Sequence, residues 1–300
     1  MRWEHGTTWY RVIGNLHNGK TPVLVLHGGP GAGHNYVIPI AEMIAQSGRA
    51  AVLYDQIGCG NSTHLASAPK EFWTPELFMQ ELVLLTQHLG IADNFAIVGQ
   101  SWGGMLGMQF AISRPKGLKA LVVADSPASM EVWVTEANKL RAELPADVEA
   151  TLLKHEADGT TDSPAYETAV NVFYDRHLCR IPQPQCLIDS FAQLAAEPTV
   201  YHTMNGPSEF HVIGSLKHWD IRPELGQINV PTLLVSGQYD EATPEMVREV
   251  NSLIPGSTWE LFPESSHTPH IEEPARFKRI VNDWLSRLES QSRYIAKSPA

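Results

Sequence analysis

One serine lies in a context that favours nucleophilic chemistry. The segment Gly99-Gln100-Ser101-Trp102-Gly103 matches the pattern G-x-S-x-G, between an apolar run typical of a strand and a run typical of a helix. In that context the chain makes a sharp strand-to-helix turn, which exposes the serine at the carboxyl edge of a sheet. The pattern alone also occurs by chance in Gly-rich turns. The strand before it and the helix after it nevertheless predict that Ser101 is a nucleophile.

A serine hydroxyl is a weak nucleophile unless a histidine takes its proton. In hydrolases with this turn the chain order is serine, acid, histidine, so the base should follow the last predicted strand, at 259–262. His267 and His270 both lie in or near the loop after that strand. We choose His267, because it comes first and Pro269 predicts the start of the next element. The two histidines could also suggest a metal pair, but no third ligand supports one.

The acid of such a triad should follow the preceding strand, predicted at 232–236. Asp240 lies in the loop after that strand. Its carboxylate would hold the imidazole in the correct tautomer and stabilise the imidazolium. Asp125, which follows a predicted strand at 118–124, is the rival candidate. The chain order favours Asp240.

Two backbone N–H groups usually bind the oxyanion that forms when a carbonyl is attacked. Trp102 offers one, because it follows the serine at a helix N-terminus. The second should come from the loop after the predicted strand at 21–26, which reads His27-Gly28-Gly29-Pro30-Gly31. Glycines let the backbone approach a substrate closely. We expect Gly29 to be the donor, with Gly28 as the fallback.

The elements that position these residues alternate between apolar strands and amphipathic helices. Such alternation predicts an α/β fold with a mostly parallel sheet flanked by helices. A run of helical patterns between Asp125 and Asp240 predicts a helical cap inserted between two core strands. We therefore expect a discontinuous core at 1–127 and 226–292, a cap at 128–225 and a tail at 293–300. The predicted strands are 21–26, 50–54, 94–98, 118–124, 232–236 and 259–262, and the predicted helices are 75–89, 104–113, 132–144, 146–157, 164–177, 186–196 and 276–288.

Charge and cysteine content exclude several classes of protein. The 33 acidic residues outnumber the 22 Lys and Arg, giving a formal net charge of −11. Nucleic acid and anionic membranes bind clustered cations, so neither is an expected partner. The three cysteines show no C-x-x-C spacing and predict neither a disulfide scaffold nor a structural zinc site. No signal-peptide pattern or long apolar run is visible, so we expect a cytoplasmic protein.

Five segments of the chain are distinctive when taken together. They are HGGPG at 27–31, YDQIGCGNS at 54–62, GQSWGG at 99–104, GQYDEATP at 237–244 and PESSHTPHIEEP at 263–274. In this order they resemble the proline iminopeptidase family of α/β-hydrolases, within which the tricorn-interacting aminopeptidases and the bacterial L-amino acid amidases look most similar. The resemblance covers nearly the whole chain, cap included. It implies an α/β-hydrolase fold and serine hydrolysis of an amide next to a free α-amino group, with no metal or organic cofactor.

The same resemblance implies two ammonium-binding carboxylates. The cap segment 204–210, which reads MNGPSEF, resembles the family segment whose glutamate grips the substrate's amino end, and this assigns Glu209. Glu241, directly after Asp240, resembles the second glutamate of the family. A carboxylate pair in a partly dry pocket would bind one cation through charge-assisted hydrogen bonds. The expected partner is a small molecule or short peptide with a free amino end.

Two other interpretations stay open. A carboxylesterase or related hydrolase could use the same triad, although it has no use for paired ammonium-binding acids. A non-catalytic receptor could also share the fold, since a fold does not determine a function. The family's proline-pocket aromatic residues cannot be placed here, so a proline preference does not follow from the resemblance. The candidates for such a pocket are Trp133, Phe173, Tyr174 and Phe210.

Overall fold

A seven-stranded sheet forms the centre of the protein, for which a computed structural model describes residues 1–295. The strands are β1 (Arg2–Trp3), β2 (Gly6–Thr7), β3 (Tyr10–Ile13), β4 (Val23–Leu26), β5 (Ala51–Tyr54), β6 (Phe95–Gln100), β7 (Leu118–Ala124), β8 (Thr232–Gly237) and β9 (Thr258–Phe262). The sheet order is β3-β5-β4-β6-β7-β8-β9, while β1 and β2 form a separate antiparallel pair. Within the sheet β3 pairs antiparallel with β5, and the other pairings are parallel.

The central strands are apolar because helices cover both faces of the sheet. Every residue of β4, β5, β6 and β8 is buried. The helices are α1 (Ile38–Gln46), α2 (Pro75–His88), α3 (Trp102–Ile112), α4 (Met130–Arg141), α5 (Ala146–Asp158), α6 (Pro164–His177), α7 (Gln185–Ala196), α8 (Thr199–Met204), α9 (Pro244–Leu253), α10 (Pro269–Glu272) and α11 (Pro274–Ile295). Of these, α1 and α11 pack on one face of the sheet, and α2, α3 and α9 pack on the other.

Helices α4 to α8 lie between β7 and β8 and have an apolar cluster of their own. Phe173 and Phe210 are in that cluster, with ring centroids 4.8 Å apart. The guanidinium of Arg141 lies 4.7 Å from the centroid of the Phe210 ring and pairs with Glu149 and Glu156. Two of the four aromatic candidates for a proline pocket therefore serve the packing of the helical segment.

The predicted class, a mostly parallel sheet flanked by helices with a helical insertion, is confirmed. All six predicted strands and seven predicted helices are present, with ends shifted by up to three residues except at the end of α11. That helix continues to Ile295, so it includes the first residues of the predicted tail; residues 296–300 lie outside the described part. The boundaries 1–127, 226–292 and 128–225 stay a prediction. None of the described helices has the length and hydropathy needed to cross a membrane.

Several elements were missed by the sequence patterns. Strands β1 to β3 are short and only partly buried, so they carry no clear alternation. Helix α1 follows the Gly-rich loop after a short 3-10 turn at Asn35–Val37, and α8 and α10 span one to two turns. Helix α9 is largely polar outside one apolar face, although it has the expected start signal of Thr243 followed by Pro244.

Candidate active site

Ser101 lies at the turn from β6 into α3. Its backbone has φ 55° and ψ −124°, a strained conformation for a residue with a side chain. The turn is tight, because a Cβ on Gly99 would overlap the carbonyl of Gly103, and a Cβ on Gly103 would overlap the carbonyl of Leu26. The Ser101 N–H donates to the Ala124 carbonyl at 2.8 Å. This is the geometry of a nucleophile elbow.

His267 and Asp240 meet in a buried pair at the same edge of the sheet. The Nδ1 atom of His267 lies 2.7 Å from Oδ1 of Asp240, which also accepts a hydrogen bond from the Ala242 N–H at 2.8 Å. Burial alone would lower the pKa of His267. The carboxylates of Asp240 and Glu241 outweigh that effect and raise the pKa to about 9. The imidazole is therefore oriented as a triad requires, with Nε2 left for the serine.

Ser101 and His267 line one cavity of about 450 Å³. The Ser101 hydroxyl makes no hydrogen bond with any residue in the described part of the chain. Hydrogen bonds between catalytic groups often shorten only when substrate is bound. The cavity therefore brings together the predicted nucleophile and the predicted base.

The two glycines considered for the oxyanion site differ in their contacts. The N–H of Gly28 donates to the Tyr36 hydroxyl at 2.6 Å, so it is already engaged. Gly29 lines the cavity beside Ser101, and within residues 1–295 its N–H has no hydrogen-bond partner. Trp102 is the first residue of α3, where backbone N–H groups lack a partner within the helix. These contacts favour the pair Gly29 and Trp102 over Gly28.

Of the two predicted glutamates near these groups, Glu241 is buried and Glu209 is half-buried. Glu209 lines the cavity of Ser101, and its carboxylate accepts a hydrogen bond from the Tyr201 hydroxyl at 2.7 Å. Glu241 has a carboxylate oxygen 3.7 Å from Nε2 of His267, and neither of its oxygens has a hydrogen-bond partner among the described residues. Burial raises the pKa of both carboxyl groups. A buried carboxylate without donors is costly, unless a cation binds there.

Two further cavities adjoin Ser101 or Glu209. A small one of about 270 Å³ touches both residues and is lined mainly by apolar side chains, among them Met105, Met130 and Trp133. A larger, more polar groove of about 1440 Å³ runs between the cap helices to Glu209 and includes Tyr174. Glu209 is therefore the residue at which the three cavities meet.

Sequence reasoning missed the polar network that joins these parts. The Tyr36 hydroxyl donates to Oε1 of Gln100 at 2.5 Å, and Nε2 of Gln100 donates to the carbonyl of His267 at 2.8 Å. Tyr36 thus connects the glycine loop, through Gln100, to the histidine loop. Gln100 lies inside the G-x-S-x-G segment and could have been singled out. Tyr36 and Tyr201 lie in segments without a recognisable pattern.

His270 and Asp125, the alternatives considered for the base and the acid, make other contacts. The Nε2 atom of His270 lies 3.1 Å from the Tyr36 carbonyl, and burial lowers the pKa of His270 to about 4. It is thus a neutral buried histidine. Asp125 is completely buried, and in the described structure the carboxylate partner of the His267 imidazole is Asp240.

One buried group of metal-ligating residue types lies below the glycine loop. Ligand atoms of His27, Asp55 and Cys59 lie within 4.8 Å of one another. However, Nε2 of His27 accepts a hydrogen bond from the Gln56 N–H at 3.1 Å, and Asp55 binds the backbone and ring of His34 at 2.8 Å. These groups hold the loop in place through hydrogen bonds.

The chain is similar to known α/β-hydrolases in sequence and in fold. A sequence model of the alpha/beta hydrolase fold matches residues 21–274. The chain is 34% identical to a proline iminopeptidase of Clostridium botulinum, covering 93% of this chain and 94% of that protein. A crystal structure of a proline iminopeptidase of Mycobacterium smegmatis is 46% identical, with a TM-score of 0.88 and coverage of 95% and 96%. The crystal structure of VinJ is 49% identical, with a TM-score of 0.94 and coverage of 96% and 97%. With its elbow serine, buried His–Asp pair and glycine loop, this chain belongs to the proline iminopeptidase family of α/β-hydrolases.

Proposed function

We propose that this protein is a serine aminopeptidase or amino-acid amidase, which cleaves the amide bond next to a free α-amino group. The observation that carries the proposal is the pair of glutamates at the site, Glu209 beside Ser101 and Glu241 beside His267. Glu241 is buried and lacks any donor among the described residues, and the half-buried Glu209 lines each of the three cavities. An esterase for neutral acyl groups gains nothing from two such anions, whereas a substrate ammonium would satisfy both.

The reaction follows from the positions of the side chains. The Ser101 oxygen attacks the carbonyl carbon while Nε2 of His267 takes its proton, and Asp240 holds the imidazole through Nδ1. The N–H groups of Gly29 and Trp102 stabilise the oxyanion. His267 then protonates the leaving amine, and an acyl-enzyme remains on Ser101. A water molecule deprotonated by His267 releases the amino acid.

The cavities support an orientation for the substrate. His267 must protonate the leaving amine, and it lines the 450 Å³ cavity but not the 270 Å³ one. The leaving group therefore occupies the larger of these two, whose wall includes Leu178, Leu187 and Phe191 and suits an apolar group. The side chain of the first residue occupies the smaller cavity between Ser101 and Glu209. Its lining, which includes Met105, Met130 and Trp133, favours an apolar side chain, such as the ring of proline, over a charged one.

The proposal needs no metal or organic cofactor and takes as partner a small amide or short peptide with a free amino end. A cytoplasmic location is also part of the proposal. It is supported by the cysteines, all three of which are free thiols, two of them buried.

A comparison of three substrates tests the function. Alanine p-nitroanilide, its N-acetylated form and p-nitrophenyl acetate are hydrolysed under identical conditions. We expect kcat/KM for the free-amino anilide to exceed that of the N-acetyl form at least about tenfold, which corresponds to about 1.4 kcal/mol of ammonium binding. Equal rates on both anilides, with faster ester cleavage, would favour the esterase interpretation. No turnover of any of the three would favour the non-catalytic one.

A further inference from the structure

A second buried carboxyl group lies next to the proposed catalytic acid. Asp125 directly follows β7, and its N–H donates to the Val235 carbonyl of the adjacent strand β8 at 2.9 Å. Asp240 lies in the loop after β8. The two side chains are close enough to interact directly, and neither is exposed by more than 1%. Two aspartates thus share one dry site below the imidazole of His267.

The hydrogen bonds divide the two carboxyl groups into different roles. Oδ1 of Asp240 receives two donors, from His267 and Ala242, while its Oδ2 receives none from the described residues. Both oxygens of Asp125 likewise lack a donor there. Two carboxylates in contact inside a low-dielectric site cannot both be ionised, so such a pair holds one proton. The donors His267 and Ala242 stabilise a negative charge on Asp240. The single proton of the pair is therefore held by Asp125.

The backbone at Asp125 is strained. Its φ is 54°, a left-handed conformation that costs energy in most residues with a side chain. The neighbouring residues are fixed by the elbow, since Ala124 accepts the Ser101 N–H and the Ser126 hydroxyl donates to the Ser101 carbonyl at 2.8 Å. The strained residue therefore sits between the nucleophile turn and the acid loop, where its side chain meets Asp240.

We propose that Asp125 is a positioning residue that stays protonated and donates a hydrogen bond to Oδ2 of Asp240. This bond fixes the carboxylate that orients His267, and it keeps a single negative charge below the imidazole. Burial and the adjacent Asp240, together with Glu272, raise the pKa of Asp125 well above its ordinary range and outweigh the side-chain amide of Gln100, which lowers it. A raised pKa agrees with a proton held at neutral pH. The proposal rests on the roles given to Asp240 and His267 in the proposed function.

Two substitutions of Asp125 test the role of its hydrogen bond without adding strain to the backbone. Asparagine and glycine both tolerate a positive φ, so neither Asp125→Asn nor Asp125→Gly adds strain. The asparagine amide still donates to Asp240, whereas glycine leaves Oδ2 without a donor. We expect kcat to stay within about threefold of wild type in Asp125→Asn and to fall at least about tenfold in Asp125→Gly, with KM little changed in both. In an Asp240→Asn background, Asp125→Gly should add little further loss.

Infrared difference spectroscopy reads the proton directly and does not depend on turnover. At neutral pH, the Asp125→Asn spectrum should lack one C=O band of a protonated carboxylic acid that the wild type shows. Loss of carboxylate bands instead would mean that Asp125 is ionised and would overturn the proposal. So would an Asp125→Asn variant as impaired as Asp240→Asn, or an Asp125→Gly variant as active as wild type. If the wild type cleaves no amide, the proposed function fails while the infrared result remains readable.

Discussion

The Nε2 atom of His267 lies 3.7 Å from a carboxylate oxygen of Glu241. In the proposed reaction this nitrogen takes the proton of Ser101, and the adjacent Glu241 raises the pKa of the imidazole, which favours its protonated, inactive form. In the same proposal a substrate ammonium bound to Glu241 would neutralise the carboxylate and lower the proton affinity of His267. The proposed function therefore predicts that recognition of the amino end and activation of the base are coupled through Glu241.

This coupling predicts a pH effect on a neutral substrate. Since His267 has a pKa of about 9 in the free protein, the neutral base is scarce below that pH and increases as pH rises towards 9. For p-nitrophenyl acetate, which brings no cation, kcat/KM should rise with pH up to about 9. Glu241→Gln removes the adjacent charge, so its profile should be shifted to lower pH. Coincident profiles for wild type and Glu241→Gln would disprove the coupling.

The control for this pH experiment is Glu245→Gln. Glu245 lies in the first turn of α9, and its side chain is 67% exposed. Removing that carboxylate should leave the pH profile unchanged. An equal shift in Glu245→Gln would indicate an effect of net charge alone.

Ser101→Ala should abolish turnover while the fold persists. Loss of a triad serine typically removes several orders of magnitude in kcat, so residual activity should stay below about 1% of wild type. Mass spectrometry after treatment with a serine-directed phosphonate should show one adduct in wild type and none in Ser101→Ala. Ser113→Ala, at the end of α3, serves as the matched control. Adduct formation in Ser101→Ala would identify a different nucleophile.

Asp240→Asn should lower kcat severely with little change in KM. The asparagine amide stabilises the wrong tautomer of His267, an effect worth about 10⁴-fold in a serine protease triad. Steady-state kinetics of Asp240→Asn and Asp125→Asn on the same amide measures the difference. A larger loss in Asp125→Asn than in Asp240→Asn would reverse the assignment of the acid.

A pH-dependent stability effect is expected from Glu81. This buried carboxyl accepts hydrogen bonds from the Thr8 hydroxyl and the Ile57 N–H, and burial raises its pKa to about 7. Between pH 4.5 and 7 the unfolded chain ionises this group while the folded protein keeps it protonated. Stability is therefore lost as pH rises through that window, by an amount on the order of 3 kcal/mol.

Glu81→Gln should remove that pH dependence. The difference in Tm between Glu81→Gln and wild type should shift in favour of the variant as pH rises from 4.5 to 7. The exposed Glu71 provides a matched control as Glu71→Gln. A constant difference in Tm over this range would mean that Glu81 has an ordinary pKa in the folded protein.

The strongly patterned parts of the fold were predictable from sequence. The buried strands around Ser101 are continuous apolar runs, and Thr74 followed by Pro75 marks the start of α2 correctly, because Thr74 caps the Leu77 N–H. The chain order of serine, acid and histidine led to the choice of Asp240 and His267, and these two side chains are in contact in the structure. Short or half-exposed elements such as β3 carry too few buried residues to be recognised.

The contacts that adjust the site were not predictable from local patterns. The engagement of Gly28 by Tyr36 depends on packing between two loops, and the pairing of Asp125 with Asp240 depends on neighbouring strands far apart in sequence. The approach of Glu241 to His267 likewise arises from the register of β8 and β9. Such relationships require the three-dimensional arrangement of the sheet.

In the proposed function, Glu209 and Glu241 bind the ammonium group of the substrate. Removing one partner of a buried charge pair costs roughly 2–5 kcal/mol, so each of Glu209→Gln and Glu241→Gln should lower kcat/KM for alanine p-nitroanilide at least about tenfold. Part of the loss should appear in kcat, since the ammonium contact positions the carbonyl against Ser101. The rate of the wild type should also fall as pH rises through the pKa of the substrate amine.

The most direct measurement is the ratio of kcat/KM for alanine p-nitroanilide to that for p-nitrophenyl acetate, in wild type, Glu209→Gln, Glu241→Gln and the control Glu245→Gln. We expect this ratio to fall at least about tenfold in Glu209→Gln and Glu241→Gln, with no loss of ester cleavage, and to be unchanged in Glu245→Gln. Equal losses on both substrates would mean that the glutamates support the fold or the triad instead. Retention of the wild-type ratio would contradict ammonium binding by these residues.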